Sequence, residues 1–172
     1  NKSGSSFGIE IVKNNIDFKK LINEIENLKN KLINHKSILI EELILGQELT
    51  VSTIKFSNNI KALAVTEIKT KNNFFDYKAK YSKGIAKHVL PARISKFNYN
   101  RCLKMAKQIH KILRCNSIAR SDFILSKKNN EIYYLETNTQ PGLTQLSLVP
   151  EQAKFMNISF EEIVKQILKN TN

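Results

Sequence analysis

Two strand–turn–strand stretches restrict this chain more than any other feature. In residues 48–56, ELTVSTIKF alternates apolar and polar positions; Ser57-Asn58-Asn59 then turns the chain into IKALAVTEIK (60–69), a β-hairpin in both pattern and turn chemistry. SIARSDFIL (117–125) and EIYYLETN (131–138) repeat the arrangement around SKKNN (126–130). Two hairpins with helical segments around them predict an α+β (mixed α/β) fold whose strands are largely antiparallel.

The helices follow from 3.6-residue spacing. Phe18, Leu21, Ile22, Ile25, Leu28, Leu32 and Ile33 form one apolar stripe, with Asp17 placed to cap it. A second helix is expected from Tyr99 to Leu113, with Leu103, Ala106, Ile109, Ile112 and Leu113 inward. A third begins near Ser159, where Ser159 and Glu162 make a capping box and Ile158 with Ile163 a hydrophobic staple. SILIEELI (37–44) suits a buried strand. Residues 70–92 carry aromatics and lysines without a period, and read as a long loop.

The chemistry concentrates on the second hairpin. With SKKNN as its turn, residues whose numbers sum to about 258 face each other, so Asp122 faces Glu136. Arg120 lies one step along the same face, and Asn138 follows Glu136 on it. Carboxylate and amide oxygens converging on one face are the ligands a hard cation such as Mg²⁺ takes. Opposed Asp and Glu repel each other without a cation, although solvated residues on the polar face of a hairpin would give the same pattern. The opening Gly4-Ser5-Ser6 with Gly8 can present N–H groups and hydroxyls to phosphate, but lacks the Gly-Lys-Ser/Thr of a Walker loop.

Length and charge set the outer limits. The 172 residues suit one ordinary domain, or one large and one small piece. No run of about 18 apolar residues exists to span a membrane, and the first residues have no apolar core of a signal peptide. A cytoplasmic protein is expected, with Cys102 and Cys115 as reduced thiols and Cys102 in the core. The net charge of +13 raises nucleic-acid binding as an alternative. Against it, 24 of the 28 basic residues are lysines spread along the chain, where a phosphate-backbone binder would cluster arginines and interleave aromatics. No nucleic-acid partner is expected.

Five segments in order, GSSFGI, LIEELILGQELTV, DYKAKY, ARSDF and YLETNTQPGLTQLSLVP, resemble the D-alanine–D-alanine ligases of the ATP-grasp superfamily. The resemblance runs from about Gly4 to Leu168. It implies a partial ATP-grasp fold without the family's N-terminal domain, and so a fragment inactive alone. Residues 1–48 would end the central subdomain (Gly-Ser-Ser loop, helix and adenine-binding strand). Residues 49–172 would form the C-terminal subdomain, with a mobile loop at 70–92 and the magnesium hairpin.

The resemblance also implies roles. Glu41, Glu42 and Ile44 would hold adenine and Glu48 the ribose hydroxyls. Lys80 and Ser6 would meet the ATP phosphates, and Ser5 would bond toward Tyr81 to close the loop. Asp122, Glu136 and Asn138 would bind two Mg²⁺ ions, with Mn²⁺ as a substitute. Arg120 and the N–H of Gly142 would hold an oxyanion, and Ser147 with Leu148 the carboxylate of the second D-alanine. The expected substrates are ATP and D-alanine, the product D-alanyl-D-alanine for peptidoglycan synthesis, and the intact enzyme a homodimer. Tyr81 favours the dipeptide over the D-lactate depsipeptide. A different ATP-grasp carboxylate–amine ligase is the alternative, against which the Ser-Leu pair of QPGLTQLSL speaks. His35, His88 and His110 match no role in the family; His110 is expected on a helix and the other two in loops.

Overall fold

The computed structural model describes residues 11–12, 14–29, 39–57, 59–70 and 86–170. The chain divides into two compact units, Asn1–Ile44 and Leu45–Asn172. The expected subdomain boundary at 48/49 lies four residues past this division, within a strand.

In the first unit, α1 (Asn15–Lys29) starts with a different cap from the one expected. Asn14 Oδ1 accepts from the backbone N–H groups of Ile16 and Asp17, both at 2.9 Å. Asp17 sits in the first turn, where its charge suits the positive end of the helix dipole. Leu32, Ile33 and His35 lie outside the described residues. The apolar run 39–44 forms no strand, and Leu39 and Ile40 are exposed. A strand buried on both faces needs neighbours on both sides, which an apolar composition does not itself supply.

The second unit is built on β1 (Gly46–Phe56), β2 (Asn59–Thr70), β3 (Ala86–Val89), β4 (Ile118–Ser126) and β5 (Ile132–Asn138). They form one sheet in the order β3-β2-β1-β4-β5, every neighbouring pair antiparallel. Strand β3 was not anticipated: it lies in the stretch read as loop, and His88 sits on it. Helix α2 (Lys96–Ile112) begins three residues earlier than its spacing indicated, because Ser95 caps it by accepting from the Asn98 N–H.

Helices α3 (Leu148–Phe155) and α4 (Phe160–Lys169) complete the unit. Ser159 Oγ accepts from the Glu162 N–H at 3.1 Å, as the capping box requires, and Ile158 packs in the same cluster as buried Ile163.

Apolar clusters occupy both faces of the sheet. Leu49, Val51, Phe123 and Leu125 pack with Cys102 and Ala106 of α2. Ile54, Leu63 and Ile118 pack with Val149, Ala153 and Ile163 of α3 and α4. Strand β1 is therefore covered on both sides, and its polar positions are buried as well: Thr50, Ser52 and Thr53 are at most 2% exposed. The Thr50 hydroxyl bonds Asp122 and the Thr53 hydroxyl meets His110, while the Ser52 hydroxyl is buried without a partner among the described residues and only its backbone N–H is bonded, by Gln152. Cys102 is core, as expected, and burial pushes its thiol up to about 11.

His110 on α2 is 1% exposed, and its Nδ1 lies 2.8 Å from Thr53 Oγ1. Burial lowers its pKa below the usual 6.5. The unfolded chain therefore binds a proton near pH 6.5 that the folded chain refuses. Stability is complete above that pH and falls as pH drops from about 6.5 toward the folded value. The melting temperature is expected to decline between about pH 7 and 5.5, above the carboxylate range. A His110→Gln variant, less stable at pH 7, should flatten that decline; equal slopes would assign it to another group.

Candidate active site

Antiparallel pairing sets Asp122 opposite Glu136 and Arg120 opposite Asn138. Next to this group the ladder slips: Phe123 pairs with Tyr134, which leaves Leu135 as an extra residue on β5. On the far side of the strands Ser121 Oγ meets Thr137 Oγ1 at 2.8 Å, and Tyr134 donates to Thr137 at 3.0 Å. These bonds fasten β5 beside the bulge.

The register with β1 identifies the face. Thr50 pairs with Asp122, Ser52 with Arg120 and Ile54 with Ile118. Residues paired in this way share a sheet face, and Ile54 and Ile118 pack against α3 and α4. Arg120, Asp122, Glu136 and Asn138 therefore lie on the side of the sheet that carries α3. Glu48 is on that side too, two positions from Thr50 along β1.

Asp122 is held tightly. Arg120 forks onto it, Nε to Oδ1 at 2.9 Å and Nη2 to Oδ2 at 2.8 Å. Thr50 Oγ1 donates to Oδ1 at 2.6 Å. Glu136 is exposed, and no side chain among the described residues compensates its charge. Asn138 Oδ1 accepts from the Gln140 N–H at 2.9 Å, closing the turn that leads to Pro141.

The continuation is compact. A Cβ at Gly142 would stand 2.8 Å from Ser147 Oγ, so only glycine lets the two approach without displacing the serine hydroxyl. Ser147 Oγ accepts from the Thr144 N–H at 3.1 Å and meets Thr144 Oγ1 at 2.9 Å. Ser147 is the N-cap of α3, yet its hydroxyl makes no capping bond. The first-turn N–H groups of Leu148 and Val149 thus have no side-chain cap. Pro150, which has no N–H, costs nothing in that turn.

The donor set suits a hard cation. Among the described residues no three His, Cys, Asp or Glu side chains cluster as metal ligands, and no His or Cys is part of this group. Two opposed carboxylates with an amide oxygen are instead the oxygen-only set that Mg²⁺ or Mn²⁺ takes. The uncompensated charge of Glu136 beside Asp122 gives such an ion a reason to bind.

The other expected site residues divide by placement. Glu41 and Glu42 are exposed and Ile44 half-buried, all in the first unit. Ser5, Ser6, Lys80 and Tyr81 lie outside the described residues. Three contacts were not anticipated: Thr50 on Asp122, the His88–Glu151 pair at 2.8 Å between β3 and α3, and Gln152 bonded to β1. Neither the first nor the last has a local signal, since Thr50 lies in an alternating segment and Gln152 beside the charged Glu151.

Comparison with known proteins agrees with this geometry. The family model described as the D-ala D-ala ligase C-terminus matches residues 1–169. A D-alanine–D-alanine ligase from Rickettsia typhi is 41% identical over 169 residues, covering 98% of this chain and 49% of its own length. The VanG D-Ala:D-Ser ligase from Enterococcus faecalis superposes with a TM-score of 0.74 at 30% identity, over 96% of this chain and 46% of that one. A D-alanine–D-alanine ligase from Bacillus anthracis complexed with ATP gives 0.69 at 26%, over 96% and 50%. The chain thus spans about half the length of the curated relatives it matches. Its sheet, its hairpin and the match along nearly all its residues place it in the D-alanine–D-alanine ligase family, with the ATP-grasp fold, as that family's C-terminal region.

Proposed function

We propose that this chain is the nucleotide- and acceptor-handling part of an ATP-dependent, ADP-forming ligase that joins two D-alanines for peptidoglycan precursor synthesis. One observation carries the reading: Asp122, Glu136, Asn138 and Arg120 share one sheet face, immediately before the Pro141-Gly142 turn that abuts Ser147. Residues 1–48 would complete the central subdomain and 49–172 form the C-terminal one. The reaction would take place in the cytoplasm, with a homodimer as the working assembly. Among the described residues no helix is long and apolar enough to cross a membrane.

A carboxylate is a poor acyl donor, so the first D-alanine would attack the γ-phosphorus of ATP, expelling ADP and forming an acyl phosphate. Asp122, Glu136 and Asn138 would hold two Mg²⁺ ions, which when bound offset the charge of the phosphates. Lys80 and Ser6 would meet those phosphates, while Glu41, Glu42 and Ile44 take the adenine and Glu48 the ribose. Ser5 and Tyr81 would close the site against water, which would otherwise hydrolyse the acyl phosphate.

Ser147 and the N–H of Leu148 would seat the carboxylate of the second D-alanine at the start of α3. Its amine would attack the acyl carbon, and phosphate would leave as the oxyanion collapses. Arg120 and the N–H of Gly142 would face that oxyanion. The fork on Asp122 holds Arg120 in one orientation before substrate arrives.

The test is ADP release by the full-length gene product with Mg·ATP and D-alanine, beside L-alanine, D-serine and D-lactate. Release that requires D-alanine, with a dipeptide product, is the expected result. Equal release with L-alanine, or with none, would overturn the substrate. Preference for D-serine or D-lactate as acceptor would keep the ligase and change its product.

A further inference from the structure

A glutamine side chain ties α3 to the centre of the sheet where the sheet's own ladder is interrupted. The β1–β2 register shifts between Val51 and Thr53, where Ser52 stands against two β2 residues, Leu63 and Ala64, and has no register partner of its own. The fully buried Gln152 fills that gap. Its Oε1 accepts from the Ser52 N–H at 2.8 Å. Its Nε2 donates to the Thr50 carbonyl at 3.2 Å and to Thr66 Oγ1 at 3.0 Å. One amide therefore replaces the missing strand contact and extends it to a helix.

Both ends of this tether matter. Thr50, whose carbonyl Gln152 binds, donates its hydroxyl to Asp122. At the helix end, Leu148 is four residues before Gln152, on the same face of α3 and one turn nearer its start. The next residue back, Glu151, bonds His88 on β3 at 2.8 Å and so fixes α3 to the sheet's edge as well. Beside the apolar packing of Val149 and Ala153, two α3 side chains among the described residues hydrogen-bond to the sheet, and of these only Gln152 leads through Thr50 to Asp122.

We propose that Gln152 is a positioning residue that sets the separation between the acceptor site at the start of α3 and the Asp122 carboxylate. The proposal rests on the ligase reading above. The acceptor amine must reach an acyl carbon held on the hairpin side, and a misplacement of about 1 Å can cost about 10²-fold in rate. A buried amide with its oxygen and both N–H groups bonded to the sheet gives that separation little freedom.

The experiment uses the full-length protein and two variants. Gln152→Asn keeps the amide but shortens its reach by one methylene; Gln152→Met keeps the volume and loses every bond. In both, kcat for dipeptide formation, and with it kcat/KM for the acceptor D-alanine, should fall by about 10²-fold. The KM for ATP should stay within about twofold. A fall in kcat together with a raised KM for ATP would mean only general loosening and would overturn the proposal, as would no change in either. Amide exchange at Ser52, Leu148, Val149 and Glu151 supplies a readout independent of turnover and should quicken in both variants. Wild-type protein with no D-alanine-dependent turnover would remove the ligase reading, whereas unchanged exchange in both variants would remove the tether.

Discussion

If the proposed function holds, Glu136→Gln in the full-length protein is expected to lower magnesium-dependent ADP release by about 10³-fold or more while leaving the fold intact. The substitution keeps the shape of the side chain and removes one charge. Asp122 is a poor replacement, because three of its roughly four acceptor sites already receive Arg120 and Thr50, which leaves it one site for an ion. Glu136 is the carboxylate with no compensating side chain among the described residues, so it is where a cation gains most. A metal that neutralises transferring phosphate is worth several kcal/mol, and each 1.36 kcal/mol is about tenfold in rate.

Stability should move the other way. Without a cation Glu136 repels Asp122 across the strand pair, a cost of about 0.2–1 kcal/mol. The variant should melt at or slightly above the wild type in the absence of Mg²⁺. Added Mg²⁺ should stabilise the wild type and leave the variant unmoved, as linkage requires of a ligand that binds only the folded form. Turnover within tenfold of wild type would sink the metal assignment, and so would an equal Mg²⁺ effect on both melts.

The facing of Asp122 and Glu136 was legible in the sequence for a reason that could easily have misled. Beside the turn, pairs sum to 257, as Leu125 with Ile132 does, and at the site they sum to 258, as Asp122 with Glu136 does. Leu135 makes the difference. Because side chains alternate faces, a ladder without that extra residue would set Leu135 opposite Asp122 and turn Glu136 to the other face. The sum of 258 held at the chemistry and failed nearer the turn.

Elsewhere local signals decided what could be read. The β1–β2 hairpin was legible because Ser57 and its neighbours carry turn chemistry, and Ser57 indeed adopts a φ of 52°. Helix α3 was not, since two turns containing Pro150 present no stripe long enough to count. With α3 unseen, Gln152 had no helix to sit on and the buried polar face of β1 had no cover. Strand β3 is four residues in a segment without periodicity, and it is paired on one side only, to β2. Such a strand owes its conformation to its partner, which no local pattern announces.

Arg120→Met should be the second large loss, and its cause differs from that of Glu136. The fork and its carboxylate are each about one-fifth exposed, 20% and 19%. Removing Arg120 leaves Asp122 facing Glu136 with only the Thr50 hydroxyl for compensation. The cost in stability is expected to be about 1–3 kcal/mol, less than the loss of a partner in a fully buried pair because water still reaches the site. The rate should fall about 10²–10³-fold, the scale of losing one donor to a developing oxyanion. Arg120→Lys separates the two contributions. It keeps the charge and so should restore most of the stability, but an ammonium cannot fork onto Asp122 in one fixed orientation. Its rate should therefore remain at least tenfold below wild type. Full activity in the lysine variant would show that charge alone suffices and that the observed fork has no part in the reaction. Full stability in Arg120→Met with a lost rate would instead make Arg120 a purely catalytic group, with Asp122 content beside Glu136 once an ion joins them.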